Sequence, residues 1–268
     1  MQKRQFLKWT LPIALGVALS GLSGAASAAE PTKIVVGADT TFPPFETQVG
    51  GEVTGFDIDM IKAIAKAEDL QVELKTLPFN GIIPSLQSGA LDVAVAGITI
   101  TKERMGSVDF SDAYYKSGLS VLVKKGSDIT GFDDLTGHVV ATKKATSSVD
   151  YLQEHGFDME KVKQFQNIDG AYQALATGGA DAVLFDSPVN LNFINGHDGF
   201  EVVGDLLTGE YYGIAISKRR PELVDKINAG LAKIKEDGTY AKLFDTYFQG
   251  DQHGVVDDSK APDSVAAE

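Results

Sequence analysis

Hydrophobic and polar positions along this chain follow two alternating patterns. Short runs rich in β-branched residues, such as Lys33 to Ala38 and Leu91 to Ala96, indicate buried strands. In the segment from Phe56 to Asp69, apolar residues instead recur every three or four positions, which predicts an amphipathic helix. Because predicted strands and helices alternate, the pattern indicates an α/β fold.

The alternation extends to Phe248. Gly238 is predicted to separate the last two helices. Residues 249–268 are acidic and contain few large apolar groups, so we expect a disordered tail there. Further strands are predicted at 72–76, 119–123, 138–141, 162–165, 181–185 and 213–217, and further helices at 82–88, 148–154, 170–176, 188–194, 221–235 and 240–248.

The N-terminal segment has the organisation of an export signal. Cations cluster in the first eight residues, an apolar run extends from Leu11 to Leu22, and Ala26-Ser27-Ala28 follows. The apolar run is shorter than the ~20 residues that span a bilayer, although an uncleaved signal anchor is an alternative. We expect residues 1–28 to be a signal peptide that is cleaved near Ala28, which predicts a periplasmic protein.

Composition excludes several classes of function. The formal charge of −13 becomes −16 once residues 1–28, with three cations and no acids, are removed. This charge argues against nucleic acid and anionic membranes as partners. The chain has no cysteine, its four histidines are widely spaced, and it contains no phosphate-binding, dinucleotide-binding or hydrolase motif. We therefore expect no metal, no cofactor and no enzymatic activity.

Polar and aromatic side chains follow several predicted strands, where ligands bind in open α/β sheets. Each has an alternative, purely structural interpretation. The aspartates are suited to turns and helix N-caps, the cations to a solvated surface, and the aromatic residues to the core. The candidates are Asp39, Phe42, Phe79, Gly97, Thr99, Arg104, Lys143, Ser147 and Asp186.

Two acids at the start of the second predicted element form a D-x-D pattern. Asp57 and Asp59 together suggest a metal site at first sight. Both lie in the first turn of the predicted helix, where a carboxylate interacts favourably with the positive end of the helix dipole. We therefore interpret them as helix-stabilising residues.

Three segments stand out as specific motifs: GFDIDMIKAIAK (55–66), LDVAVAGITITKER (91–104) and ADAVLFDSP (180–188). They resemble the periplasmic amino-acid-binding proteins of ABC uptake systems, solute-binding protein family 3, and the resemblance extends over residues 33–248. It implies the periplasmic-binding-protein fold, in which two α/β lobes enclose a ligand cleft and are joined by two hinge crossings.

The resemblance also implies a discontinuous division of the chain. Lobe 1 is expected at 33–113 plus 214–248, and lobe 2 at 119–208. The crossings are then expected near 114–118 and 209–213.

The family's contacts to the α-groups of an amino acid carry over to matching positions. By resemblance, Arg104 pairs with the α-carboxylate, assisted by Thr99 and the main-chain N–H of Ser147. Asp186 and the carbonyl of Gly97 hold the α-ammonium group. A planar guanidinium suits a carboxylate because it donates two parallel, charge-assisted hydrogen bonds.

The resemblance assigns the ligand side chain to a second group of residues. Phe42 and Phe79 enclose its aliphatic part, and Asp39 and Lys143 contact its end. Together these two charges suit a neutral amide, because Asp39 accepts from the amide nitrogen and Lys143 donates to the carbonyl. We therefore expect glutamine, although Phe185 stands where glutamine-binding members have a histidine.

Ser147 is a second departure, since it replaces a glycine and adds a hydroxyl group. The implied partners are a free amino acid and an ABC permease in the inner membrane, and the implied oligomeric state is a monomer. Two alternatives stay open: an enzyme such as a lyase or dehydratase working in the same cleft, and an amino-acid sensor module.

Overall fold

The computed structural model describes residues 32–249, 253–256 and 258–266. The predicted signal peptide lies outside these residues. No helix in the described ranges is long and apolar enough to cross a membrane.

The strands alternate with helices as the hydrophobic pattern predicts. Most predicted elements differ from the observed ones by only one or two residues at their ends. The strand predicted at Leu91 to Ala96 is shorter than expected, because the chain leaves the sheet after Ala94. The strands are β1 (Thr32–Ala38), β2 (Thr41–Phe42), β3 (Glu46–Val49), β4 (Glu52–Thr54), β5 (Leu70–Thr76), β6 (Val93–Ala94), β7 (Asp109–Ser117), β8 (Leu119–Lys124), β9 (Val140–Lys143), β10 (Val162–Phe165), β11 (Ala182–Asp186), β12 (Phe200–Val203) and β13 (Glu210–Ile216).

The helices include several that bury one apolar face. In the first helix, Ile58, Ile61 and Ile64 are all fully buried, as their spacing predicts. The α-helices are α1 (Phe56–Ala67), α2 (Ile82–Ser88), α3 (Lys102–Ser107), α4 (Ser147–Glu154), α5 (Ile168–Thr177), α6 (Ser187–Asn195), α7 (Glu222–Glu236), α8 (Thr239–Phe248) and α9 (Pro262–Val265), and 3₁₀ helices occur at Phe79–Gly81, Phe132–Leu135 and Met159–Lys161.

Two five-stranded sheets form the two lobes of an α/β fold, which confirms the predicted fold class. The sheet of the first lobe has the order β5-β1-β6-β13-β7, and that of the second lobe has the order β10-β9-β11-β8-β12. Strands β1, β5 and β6 are parallel, as are β9, β10 and β11, whereas β13 and β8 run antiparallel to their neighbours. Strands β2, β3 and β4 form a separate antiparallel sheet.

The chain passes between the sheets at two adjacent places. Strand β7 belongs to the first sheet and is followed, after Gly118, by β8 of the second sheet, while β13 returns to the first sheet after β12. Strands β7 and β13 pair with each other, with Glu210 opposite Ser117. A β-carbon at Gly118 would overlap the carbonyl oxygen of Thr208, so the close approach of the two crossings requires glycine there.

The described part of the C-terminal tail packs against the first lobe, so the prediction of a disordered tail is wrong for these residues. The N–H groups of Ala113 and Lys116, on the edge strand β7, donate to the carbonyl oxygens of Lys260 and Gly254, each at 2.9 Å. Val256 is buried in the core of the same lobe. The tail is ordered because it covers a sheet edge whose backbone groups would otherwise lack partners.

Candidate ligand-binding site

A narrow cleft lies between the lobes, beyond the carboxyl ends of the parallel strands. The cleft is lined by every residue that was predicted for the site except Asp39. Asp39 instead contacts Lys143, which is one of the lining residues. The structure thus brings the predicted residues together from five separate strand-to-helix connections. The lining residues are Phe42, Phe79, Gly97, Thr99, Arg104, Lys143, Thr146, Ser147, Phe185 and Asp186.

One end of the cleft holds a buried ion pair that joins the lobes. Lys143 Nζ, at the end of β9, lies 2.7 Å from Asp39 Oδ2, just beyond β1, with side-chain exposures of 1% and 3%. Asp39 also accepts hydrogen bonds from the N–H groups of Thr41 and Phe79, both at 2.9 Å. Asp39 therefore does stabilise a local turn through Thr41, as the structural interpretation says. It also pairs with Lys143 of the other lobe, which that interpretation does not include.

Aromatic rings surround the ammonium group of this pair. Lys143 Nζ lies 5.6 Å from the centroid of Phe42 and 5.4 Å from that of Phe79, within the range of cation–π attraction. Phe185 makes an edge-to-face contact with Phe42 across the lobes, at a centroid distance of 5.7 Å. The walls are therefore apolar and the end is charged, which suits a side chain with an aliphatic body and a polar tip.

Arg104 also lines the cleft, on the short helix α3, with its guanidinium 5.6 Å from the centroid of Phe79. This helix is N-capped by Thr101, whose hydroxyl accepts from the N–H of Arg104 at 3.2 Å. The guanidinium donates to the carbonyl oxygen of Thr99 at 2.9 Å and to that of Ala145, in the second lobe, at 3.2 Å. Burial lowers the pKa of Arg104, an effect that the nearby carboxylates of Asp150 and Glu210 oppose. A charged guanidinium on a cleft wall is suited to pair with a carboxylate.

Asp186 ends strand β11 and faces the same cleft, with 4% of its surface exposed. It occupies the N-cap position of α6, yet its side chain makes no capping bond. Among the described residues no group donates to its Oδ1 atom. Burial, and then the carboxylate of Glu210, raise the pKa of Asp186 well above its usual range. Such a carboxylate is suited to a cationic partner, because a buried charge is costly without one.

Gly97 lies in the irregular segment that follows β6, with a φ angle of 51°. Its N–H donates to Asp57 Oδ2 at 3.0 Å, and the hydroxyl of Tyr114 donates to the same oxygen at 2.7 Å. Asp57 is fully buried. Its interpretation as a residue that only favours the helix dipole is therefore incomplete, since its carboxylate also holds a cleft-lining segment in place.

Glu46 lies beside Asp57 and was not among the predicted residues. Its side chain is fully buried, and among the described residues no group donates to either of its carboxyl oxygens. Burial raises the pKa of Glu46 well above its usual range, and the Asp57 carboxylate adds to the shift. Burial also raises the pKa of Asp57, so two neighbouring buried carboxyl groups are unfavourable when both are charged.

Glu210, the first residue of β13, is a second acid that the sequence analysis missed. It is 2% exposed, and its Oε2 atom accepts from Thr99 Oγ1 at 2.9 Å and from Ser147 Oγ at 3.1 Å. The available signal was an acidic residue at the start of a run of apolar and aromatic residues, YYGIAI. In the described ranges no group of three or more histidine or acidic residues is placed to hold a metal ion.

Comparisons with known proteins identify the family of this chain. Residues 34–250 match the family described as bacterial extracellular solute-binding proteins, family 3. The chain is 35% identical over 243 residues to a probable histidine-binding protein of Neisseria gonorrhoeae, covering 85% of this chain and 88% of that protein. It is 36% identical over 225 residues to the ABC transporter glutamine-binding protein of Bacillus subtilis, covering 82% of each.

A solved structure shares the fold at higher identity. An ancestral arginine-binding protein bound to glutamine superposes with a TM-score of 0.75 at 43% identity, covering 81% of this chain and 97% of that one. The match to the family extends over most of the chain, and the cleft lies between two lobes as the resemblance implied. This chain therefore belongs to the bacterial extracellular solute-binding proteins of family 3.

Proposed function

We propose that this protein is the periplasmic binding component of an ABC importer. It captures a polar L-amino acid, and glutamine is the ligand that we propose first. The observation that carries the proposal is the arrangement of four charged residues in one cleft. Arg104 and Asp186 face one part of it, and the buried pair of Asp39 and Lys143 closes another. A zwitterion with a polar side chain complements all four.

The α-groups of the ligand bind at the first pair. Arg104 donates to the α-carboxylate, and the main-chain N–H of Ser147 also donates to it. On binding, the guanidinium gives up hydrogen bonds to the carbonyl oxygens of Thr99 and Ala145 and gains a charged partner. Asp186, whose Oδ1 has no donor among the described residues, accepts from the α-ammonium group, and the carbonyl of Gly97 accepts another of its protons. Both ligand charges are then paired, as burial requires.

The side chain of the ligand extends between Phe42 and Phe79 toward the second pair. Its amide nitrogen donates to Asp39 and its amide oxygen accepts from Lys143. A γ-carboxylate would face the Asp39 carboxylate and a cationic side chain would face Lys143, so both are disfavoured. The relative from B. subtilis that is named for glutamine, and the ancestral protein bound to glutamine, support this choice.

Transport follows from the division of the site between lobes. Asp39, Phe79 and Arg104 belong to the first lobe, whereas Lys143 and Asp186 belong to the second. A ligand that contacts both lobes binds the closed form more tightly, and so shifts the population toward closure. The closed monomer then docks on the permease in the inner membrane and releases the amino acid without chemical change.

Thermal unfolding of residues 29–268, stripped of bound ligand, tests the proposal against the twenty amino acids. A ligand at 100 times its Kd adds about 2.7 kcal/mol to the free energy of unfolding. A shift in Tm with glutamine is expected. A shift with arginine or histidine alone would contradict glutamine specificity and retain amino-acid capture. A response to none of the twenty would contradict amino-acid capture itself.

A further inference from the structure

Glu210 lies behind the ligand cleft rather than in its wall. It does not line the cleft, but it lines a neighbouring cavity together with Ser147 and Thr208. It begins β13, directly after the second crossing between the lobes. Its carboxylate is therefore buried at the place where the two lobes and the crossing meet.

The carboxylate joins hydroxyl groups from both lobes. Thr99 Oγ1, in the first lobe, and Ser147 Oγ, at the start of helix α4 in the second lobe, donate to the same oxygen, Oε2, at 2.9 and 3.1 Å. Thr208 Oγ1, in the crossing itself, donates to Oε1 at 3.2 Å. Hydrogen bonds to a charged acceptor are roughly twice as strong as neutral ones, so this network holds the lobes together.

The same hydrogen bonds fix how two cleft residues are presented to a ligand. A hydroxyl group has one proton, and the protons of Thr99 and Ser147 point at Glu210. Their free lone pairs are then available on the other side of each oxygen, and both residues line the cleft. A Thr99 hydroxyl that donates to Glu210 cannot also donate to the ligand carboxylate, which is the role the resemblance implied. Lone pairs accept from an ammonium group, so Glu210 instead supports the part of the cleft that faces Asp186.

We propose that Glu210 is a positioning residue that latches the closed conformation, joining Thr99 of the first lobe to Ser147 of the second without touching the ligand. The proposal rests on the proposed function, because a latch matters only if the lobes open and close. When the lobes separate, Ser147 moves away from Thr99 and Oε2 loses one of its donors. The latch therefore contributes to affinity only through the closed state.

The test is the Glu210→Gln variant. Both carboxylate oxygens of Glu210 accept hydrogen bonds, whereas the amide of glutamine has one accepting oxygen and one donating nitrogen and carries no charge. The chain has no cysteine, so dyes can be attached to cysteines introduced at the exposed positions Lys66, in the first lobe, and Gln153, in the second. Energy transfer between the dyes reports the closed fraction, and calorimetry reports the Kd for glutamine. The control is Asp205→Asn, which removes an exposed carboxylate from the same crossing.

The latch predicts that Glu210→Gln raises the Kd about tenfold and lowers the closed fraction at a fixed ligand concentration, while Asp205→Asn changes neither. Ser147→Ala keeps the main-chain N–H and should reproduce most of the change. In the double variant Glu210→Gln/Ser147→Ala, the changes should not multiply, because both remove the same link. Ser147→Ala keeps the test valid if Glu210→Gln fails to fold.

Three outcomes separate this proposal from its alternatives. An unchanged Kd and closed fraction in Glu210→Gln, with a wild type that responds to glutamine, would overturn the latch and leave the proposed function intact. A large loss in Glu210→Gln with no loss in Ser147→Ala would also overturn it, since that pattern indicates direct contact with the ligand. If none of the twenty amino acids causes the wild type to close, the proposed function itself is contradicted.

Discussion

Lys143 Nζ lies 2.7 Å from Asp39 Oδ2, and the two residues come from different lobes. Each charge is almost completely buried, so each offsets part of the desolvation cost of the other. The ammonium group of Lys143 also lies within 6 Å of the ring centroids of Phe42 and Phe79, which the proposed function assigns to the ligand side chain. A ligand that reaches this point must replace part of the ion pair with contacts of its own.

The Asp39→Asn substitution should weaken glutamine binding and reduce selectivity at the same time. Loss of a hydrogen bond to a charged group costs about 1.5–3 kcal/mol, so the Kd for glutamine should rise about 10- to 150-fold. The Kd for glutamate should change less, because the variant also removes a like charge that opposes the γ-carboxylate. Calorimetric titration with both ligands measures the ratio.

The control for this substitution is an exposed residue adjacent to the pair. Lys144 follows Lys143 and is exposed, so Lys144→Ala should leave both affinities unchanged. A glutamine-to-glutamate preference that is the same in Asp39→Asn and in the wild type would refute the assignment of Asp39 to the end of the side chain.

The alternation of apolar runs was sufficient to predict the α/β fold, and the family resemblance proposed most of the residues that line the cleft. The position of Arg104 and Asp186 just after apolar strands indicates the ligand edge of a sheet, and family-specific segments carry both residues. Glu46, Asp57 and Glu210 could not be assigned in this way. Their importance arises from burial against partners more than ten residues away, which no local pattern encodes.

Substitution of Arg104 should cause the largest loss of affinity. Arg104→Ala should cost about 2–5 kcal/mol, since it leaves a buried ligand carboxylate without its partner. Arg104→Lys should lie between the alanine variant and the wild type, because an ammonium group keeps the charge but lacks the two parallel donors. Titration with glutamine measures both, and Lys66→Ala, an exposed cation of α1, is the control. An Arg104→Ala variant with normal affinity would exclude the proposed α-carboxylate site.

The buried pair of Glu46 and Asp57 should make stability depend on pH. Burial raises the pKa of Glu46 in the folded state, so the folded protein keeps a proton that the unfolded chain has released. The free energy of unfolding should therefore fall as pH rises above the unfolded pKa of about 4.3, by at most about 1.4 kcal/mol per pH unit for one proton, until pH passes the folded pKa. Denaturation in urea from pH 5 to pH 8 measures this slope.

Glu46→Gln identifies the group responsible. A neutral amide can donate to Asp57 and has no proton to release, so the variant should have a smaller slope and greater stability than the wild type at pH 8. Glu52→Gln, which neutralises an exposed glutamate on β4, should leave the slope unchanged. If Glu46→Gln and the wild type have the same slope, Glu46 does not hold the proton.

The described part of the tail should contribute to stability and not to ligand binding. Truncation after Gln249 exposes the site that Val256 fills, at a cost of about 1.5–3 kcal/mol for one buried aliphatic side chain. It also leaves the N–H groups of Ala113 and Lys116 on an open sheet edge. The free energy of unfolding in urea should fall by at least the cost of the lost burial, and the tendency to aggregate should rise.

Measuring ligand affinity shows whether the tail only stabilises the fold or also takes part in closure of the lobes. No described residue of the tail lines the cleft, so the truncated protein should bind glutamine with a Kd within about twofold of the wild type at a temperature where both are folded. Val256→Ala, which shortens one side chain and keeps the backbone contacts, should reproduce part of the loss of stability. Unchanged stability after truncation would show that the contacts with β7 are too weak to matter. A large change in Kd would instead indicate that the tail takes part in the movement of the lobes. That role is open to it because the tail contacts β7 close to the first crossing.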